Sequence, residues 1–234
     1  MGLVHAKYSE VALATGMHNL GFCDANSGIR NILCLGAHCD DIEIGCGGTI
    51  LRLIKENPNL NFHWVIFSSN PRRKRETLAA ALLFLGAAAV RDKVIIRHYR
   101  DGFFPDHWKA IKEFFESMRK RFQPDLIFTH YRNDLHQDHR VISELTWNTF
   151  RDQLILEYEI PKYDGDLGSP NFFVGLDQAI CDQKIDNITT SFRSQSSKQW
   201  FTEDTFRALL RIRGVESNAV GRYAEGFYCR KALV

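Results

Sequence analysis

The chain has 234 residues, of which 44% are hydrophobic and 25% charged, and 30 Lys and Arg against 28 Asp and Glu give a net charge of +2. This composition is typical of a folded domain and excludes a disordered chain, which would be poorer in apolar residues and richer in net charge. The balanced charge also lacks the basic excess of a nucleic-acid-binding protein, so no nucleic-acid partner is expected.

Targeting signals and membrane spans are not predicted. The longest nearly apolar run, residues 78–90, is too short for a membrane span and predicts a buried helix. The first ten residues lack a basic region followed by an apolar one, so no secretory signal is predicted. Six cysteines without tight spacing fit a reducing cytoplasm. We therefore predict a cytoplasmic protein with an N-terminal extension at residues 1–30 and a single domain at residues 31–234.

Predicted strands and helices alternate along the first two-thirds of the domain. Short, continuously apolar strands of this kind indicate a mainly parallel sheet covered by helices on both faces, with a less regular C-terminal third. The predicted strands are residues 32–35, 62–67, 94–96, 126–129, 155–160, 172–176 and 223–230, and the main helices before Phe150 are residues 49–56, 73–85 and 108–122, the first of them after a glycine-rich turn.

Two segments rich in His and Asp follow the first and fourth predicted strands. In an open parallel sheet, ligands bind beyond the carboxyl ends of the strands. Strands one and four can be neighbours in a doubly wound sheet, so we expect both segments to open onto one pocket. The segments contain His38, Asp40 and Asp41 after the first strand, and Asp134, His136, Asp138 and His139 after the fourth.

These residue types suit a catalytic metal. A catalytic zinc commonly takes three His or carboxylate ligands and keeps one position open for water. His38, Asp41 and His139 would supply that set, and Asp40 would be placed to take a proton from the water. The alternative is that these are polar loop residues that cap the following helices, which is a weaker explanation for two such loops than for one.

Two further residues of the second segment have predicted roles. His136 would face the same cavity and either polarise a carbonyl or protonate a leaving amine, and Asp138 would hold the His136 ring in one tautomer. His130, which ends the fourth strand, is interpreted either as a structural hydrogen-bonding residue or as a pocket residue.

The two segments resemble a known family. Residues 37–49, which read AHCDDIEIGCGGT, are similar to the AHPDD-type motif of the PIG-L/LmbE-like family of zinc-dependent de-N-acetylases. Residues 136–139, HQDH, resemble the second motif of that family. Supporting similarities lie at residues 73–76, 184–195 and 224–227.

The resemblance implies a fold, a cofactor and a reaction. The fold is a Rossmann-like three-layer α/β sandwich, and the reaction is removal of an N-acetyl group from an amino sugar. One Zn²⁺, or another divalent metal, would be held by His38, Asp41 and His139. Asp40 would be the general base, and His136 would stabilise the oxyanion or act as the acid. The family is often oligomeric, so a homo-oligomer is compatible with the resemblance.

The chain departs from the family pattern at several positions. Cys39 and Gln137 stand where many relatives have proline, and Cys39 is an alternative metal ligand as a thiolate. Asp134 replaces a tyrosine found in some members, and we predict that it binds a sugar hydroxyl. Arg73, or Arg72 or Arg75 in its place, and Asp101 are the other predicted substrate-binding residues.

The predicted function is therefore deacetylation of a small-molecule amino-sugar substrate, namely an N-acetylglucosamine-type glycoside, nucleotide-sugar or glycoconjugate. One alternative is a metal-dependent phosphoesterase, which usually needs two metals about 4 Å apart. Another is a non-enzymatic nucleotide-binding module that uses residues 45–49, GCGGT, as a phosphate loop. Close packing of a helix against a strand is the simpler explanation of those glycines.

Overall fold

The computed structural model describes residues 28–86 and 93–233. The predicted N-terminal extension therefore lies outside the described residues except for positions 28–30. The strands are β1 (Asn31–Gly36), β2 (Asn61–Ile66), β3 (Val94–Ile96), β4 (Leu126–His130), β5 (Leu154–Tyr158), β6 (Phe172–Leu176) and β7 (Tyr223–Cys229). The helices are α1 (Asp41–Glu56), α2 (Pro71–Leu85), α3 (Trp108–Arg121), α4 (Gln137–Thr149), α5 (Gln178–Ser191) and α6 (Glu203–Glu216).

The strands form one mixed sheet in the order β3-β2-β1-β4-β5-β7-β6. Strands β1 to β5 are parallel, and β7 runs antiparallel to both of its neighbours. Alternate strand residues enter two separate apolar cores, so that Ile32 packs on the face covered by α1, α2, α5 and α6, whereas Leu33 packs on the face covered by α3 and α4. The predicted three-layer α/β sandwich with a less regular C-terminal third is confirmed.

The strand order changes direction at β1, because β2 and β3 lie on one side of it and β4 and the later strands lie on the other. This strand pairs with β2 on one side and with β4 on the other, and a ligand site is expected beyond the carboxyl ends of the strands at such a switch point. The loop after β1 and the loop after β4 therefore meet at one edge of the sheet, as predicted.

Helix α1 corrects one prediction. It begins at Asp41, not at Thr49, and the glycine-rich stretch lies inside it. A Cβ added at Gly45 would stand 2.2 Å from the Tyr158 ring, and one at Gly47 would stand 2.6 Å from Phe84. Glycine is unfavourable in a helix interior, but here close packing requires it. The stretch is therefore a packing surface and does not form a phosphate-binding loop.

Helix α1 is also held by a buried ion pair from the last third of the chain. The ammonium of Lys184 lies 2.6 Å from Glu225 and donates to the carbonyl of Ile44 at 2.6 Å. The Glu225 carboxylate accepts the backbone N–H groups of Gly48 and Thr49 at 2.8 and 2.6 Å. Lys184 and Glu225 belong to the two C-terminal segments that carry the family resemblance, and they fix the helix that begins at Asp41.

Helix α2 is less buried than predicted. Leu78, Leu82 and Leu83 are between 36% and 46% exposed, because they lie on the side of α2 that faces away from the sheet, and positions 87–90 of the predicted run lie outside the described residues. Among the helices of the described ranges, none has the length and hydropathy needed to cross a membrane.

Candidate metal centre and active site

Three side chains converge where the loops after β1 and β4 meet. His38 Nδ1 lies 3.2 Å from His139 Nε2. Asp41 Oδ2 lies 3.5 Å from His38 Nδ1, and Asp41 Oδ1 lies 3.6 Å from His139 Nε2. Donor atoms around a tetrahedral zinc at its usual bond lengths are about 3.4 Å apart. These three residues therefore have the chemistry and the spacing to hold one divalent ion.

Each of the two histidines is oriented by a buried carboxylate. Asp138 Oδ2 lies 3.1 Å from His38 Nε2, and Asp134 Oδ2 lies 2.9 Å from His139 Nδ1. When the ring N–H donates to the carboxylate, the other ring nitrogen carries a free lone pair. This leaves His38 Nδ1 and His139 Nε2, the two atoms that face each other, available to a metal.

The partner of Asp138 differs from the prediction. Its carboxylate accepts the backbone N–H groups of Gly102 and Phe104 at 2.7 and 3.1 Å and contacts His38, while its own backbone N–H donates to His136 Nδ1 at 3.2 Å. Asp138 therefore orients His38 with its carboxylate, and it contacts the His136 ring through its backbone N–H instead of through the carboxylate that was predicted to hold it.

Replacing Asp138 by Asn is expected to weaken metal binding about 10- to 100-fold, because changes in the groups that orient a ligating histidine have effects of that size. The His136 ring should keep its function, since its bonded partner is the backbone of residue 138. Competition between the protein and a chromophoric chelator measures the metal affinity. Unchanged affinity in this variant would show that Asp138 does not support the ligand.

Asp40 is buried beside the three candidate ligands and is paired with Arg73. The guanidinium donates from Nη2 to Asp40 Oδ1 at 2.5 Å. The Asn70 side chain caps α2 by accepting the N–H of Arg73, which fixes the start of this helix next to the loop after β1. Burial raises the pKa of Asp40 although the positive charge of Arg73 opposes this shift. A carboxylate of raised pKa is a better proton acceptor near neutral pH.

These contacts alter two predicted substrate-binding roles. Arg73 is the arginine of the cluster at the site, since Arg72 and Arg75 are exposed, but its guanidinium is bound to Asp40. The carboxylate of Asp134 is buried and accepts from His139, from Lys162 and from the backbone N–H of His136. Its oxygens are therefore used inside the protein, which contradicts a role in binding a sugar hydroxyl.

Three other residues that were considered for the site from the sequence lie next to it. The side chain of Asp101 is 66% exposed and its Oδ1 lies 3.1 Å from His38 Nε2, so substrate binding by Asp101 stays a prediction. The thiol of Cys39 is buried and donates to the carbonyl of Ser68 at 3.3 Å. His130 is fully buried behind the site, where its ring stacks on His139 and its Nε2 lies 3.2 Å from Asp41.

Charges in the site favour an ionised Asp41 between the two histidines. Burial opposes ionisation, but His139 and His130 hold the pKa of Asp41 well below its usual value. Burial lowers the pKa of His139 to about 4. Burial also disfavours a charged His38, but hydrogen bonds to three neighbouring carboxylates outweigh it and raise the pKa of His38 well above its usual value.

Residues from distant segments that were not predicted from the sequence also support the site. Lys162 reaches Asp134 from the loop between β5 and β6, and no spacing or motif connects these two positions. Glu76 accepts from the backbone N–H and hydroxyl of Ser194 at 2.9 and 2.5 Å. Glu76 and Ser194 both lie in segments that carry the family resemblance, which was the one available signal for their pairing.

A family model described as PIG-L, GlcNAc-PI de-N-acetylase, matches residues 33–150, half of the chain. The match includes both segments rich in His and Asp. The chain therefore belongs to the PIG-L/LmbE-like family of de-N-acetylases, as its motifs predicted.

Solved structures share the fold along most of the chain. The conserved protein TT1542 from Thermus thermophilus is 21% identical over 87% of this chain and 95% of its own, with a TM-score of 0.68. N,N'-diacetylchitobiose deacetylase from Pyrococcus horikoshii is 20% identical over 89% and 86%, with a TM-score of 0.64. GalB, the 4-carboxy-2-hydroxymuconate hydratase from Pseudomonas putida, is 16% identical over 88% and 98%, with a TM-score of 0.63.

Proposed function

We propose that this protein is a zinc-dependent hydrolase that removes the acetyl group from an N-acetylated amino sugar, with a glycoside, nucleotide-sugar or glycoconjugate of N-acetylglucosamine type as substrate. The spacing of His38 Nδ1, Asp41 and His139 Nε2 carries the proposal, because it fits one tetrahedral ion. Family membership and the deacetylase among the structural neighbours support the choice of reaction.

Asp40 is the group that accepts a proton in this proposal. A divalent ion held by the three ligands would supply Lewis acidity to a water molecule and to the amide carbonyl. Arg73 holds Asp40 Oδ1, and we assign Oδ2 to the proton of the attacking water. The water oxygen bonds to the carbonyl carbon, the C–N bond then breaks, and Asp40 returns its proton to the leaving amine. Acetate and the free amino sugar are the products.

His136 is the second reacting group in this proposal. Its Nδ1 accepts the N–H of Asp138 as the N-cap of α4, so the ring proton of the neutral imidazole is on Nε2. Burial lowers the pKa of His136, and the nearby His38 adds to the effect, which favours the neutral form. A neutral Nε2–H donates a hydrogen bond to the oxyanion that forms on the carbonyl oxygen.

Replacing His136 by Asn should lower kcat about 100-fold, the typical effect of losing one oxyanion donor. Asparagine is a good N-cap residue, so α4 keeps its start while the Nε2–H is lost. KM should change much less than kcat, because the bond strengthens only in the transition state. Steady-state kinetics on zinc-loaded protein measures both constants, and an unchanged kcat would exclude this role of His136.

Neither alternative function is favoured by the structure. A two-metal phosphoesterase generally bridges its metals with a carboxylate. Among residues 28–86 and 93–233, three metal-ligand groups, meaning sets of side chains that could hold a metal, are found: His38, Asp41 and His139; His38, Asp101, His136 and Asp138; and His130, Asp134 and His139. These groups share His38 and His139 but no carboxylate. A nucleotide-binding module would need residues 45–49 as an open loop, and they are buried inside α1.

The direct test of the proposed reaction is acetate release. Protein stripped with a chelator and reloaded with zinc should release acetate and a primary amine in equal amounts from a member of a panel of N-acetylglucosamine, its alkyl and aryl glycosides, its nucleotide-sugar and its lipid-linked glycoside. Stripped protein should release neither product. Zinc-loaded protein that deacetylates no member of the panel would contradict the proposal.

A further inference from the structure

A largely buried lysine side chain lies behind the candidate ligand His139. Lys162 stands in the loop between β5 and β6, 9% of its side chain is exposed, and its ammonium lies 2.9 Å from Asp134 Oδ2. The same oxygen lies 2.9 Å from His139 Nδ1. Lys162 and His139 therefore both contact the same oxygen of the Asp134 carboxylate.

Lys162 is fixed in this position by a second carboxylate. Its ammonium lies 2.5 Å from Asp166 Oδ2, and the same oxygen of Asp166 accepts the backbone N–H of Leu135 at 2.7 Å. Leu135 directly follows Asp134 in the chain. The loop after β5 is thus bonded to the loop that carries Asp134, and the lysine is enclosed between two carboxylates.

The ammonium has a predictable effect on a metal bound to His139. A carboxylate that accepts the second N–H of a ligating imidazole makes that imidazole a stronger electron donor. A positive charge on the same carboxylate oxygen reduces this donation and also repels a nearby cation. Both effects weaken the binding of the ion and leave it more electron-poor.

We propose that Lys162 is a positioning residue that acts through Asp134 to limit how strongly His139 donates to the metal, and that it thereby keeps the bound ion a strong Lewis acid. This inference rests on the metal site of the proposed function. This role differs from that of a structural tether. Removing an electron-withdrawing charge should strengthen metal binding, whereas removing a tether should weaken it.

The test measures zinc affinity by competition with a chromophoric chelator. Replacing Lys162 by Met keeps the length of the side chain and removes its charge. The zinc dissociation constant should fall about 10-fold, the lower end of the range for changes in residues that surround the metal ligands. A tether would give the opposite result, since a loosened loop weakens zinc binding. The kcat for acetate release should fall at the same time.

Two further variants make the result decisive. Lys162→Met combined with Asp166→Asn keeps the net charge of the chain and an acceptor for Leu135 N–H, so it decides the question if the single variant does not fold. Lys55→Met removes a similar charge from an exposed ion pair with Asp177 and should leave zinc affinity unchanged.

The outcomes separate this inference from the proposed function. Zinc affinity equal to or weaker than that of the wild type in the Lys162 variants would overturn the inference, while wild-type zinc binding would still support the metal site. A wild-type protein that binds no zinc would overturn the metal site, and the inference with it.

Discussion

Replacing Asp40 by Asn is expected to lower turnover at least about 100-fold, the scale of general-base catalysis, while zinc stays bound. Asparagine has the shape of aspartate but lacks the basic oxygen. The three candidate ligands are unchanged, and the amide oxygen can still accept from Arg73, which now donates to Asp40 Oδ1. Acetate-release kinetics and metal analysis of the same sample are the required measurements.

Asp164→Asn is the matched control for this experiment. It makes the same chemical change at an exposed position between β5 and β6, so turnover should match that of the wild type. Near-normal turnover in Asp40→Asn would mean that another group takes the proton. Loss of zinc from that variant would instead identify Asp40 as a metal ligand.

Replacing His38 or His139 by Ala is expected to give folded protein that retains little zinc and has no measurable deacetylase activity. Each change removes one of three donor atoms, and a two-donor site holds a divalent ion poorly. His139→Ala also leaves Asp134 with Lys162 as its charged partner, so the buried carboxylate keeps a counter-ion. Metal content after gel filtration measures the retained zinc, and circular dichroism verifies the fold.

His107→Ala is the control for the ligand variants, because His107 is outside the three metal-ligand groups found among the described residues. It should retain one zinc per chain. Full zinc occupancy in His38→Ala or in His139→Ala would remove that residue from the ligand set.

The position of the site was predictable from sequence for a simple reason. Buried parallel strands are continuous apolar runs, so the ends of β1 and β4 are visible, and the polar residues after them must lie at the same edge of the sheet. His38, Asp41 and His139 could therefore be grouped before their distances were known.

The partners of the site residues were not predictable in the same way. Asp138 was paired with His136 because the two are close in sequence, yet the carboxylate of Asp138 bonds His38, and only its backbone N–H bonds the His136 ring. Asp134 and Arg73 were assigned to substrate because sequence does not show which polar groups meet inside the protein. Such pairings depend on tertiary packing between segments far apart in the chain, as for His38 and Asp138.

The glycines of α1 show a second reason why the structure could not be fully predicted from the sequence. Gly45 and Gly47 lower the local helix propensity, which predicts a turn. The rings of Tyr158 and Phe84 occupy the space where their Cβ atoms would be, so packing overrides propensity and the helix starts at Asp41, soon after β1 ends. That early start is what brings Asp40 and Asp41 to the pocket.

A crystal structure of the zinc-loaded protein, with anomalous diffraction recorded at the zinc edge, tests the central claim most directly. We expect one anomalous peak per chain, within about 2.0 to 2.2 Å of His38 Nδ1, an Asp41 oxygen and His139 Nε2. Asp40 and His136 should lie beside the ion without binding it. A peak on Asp101, His136 and Asp138, or a chain that binds no zinc, would contradict the account.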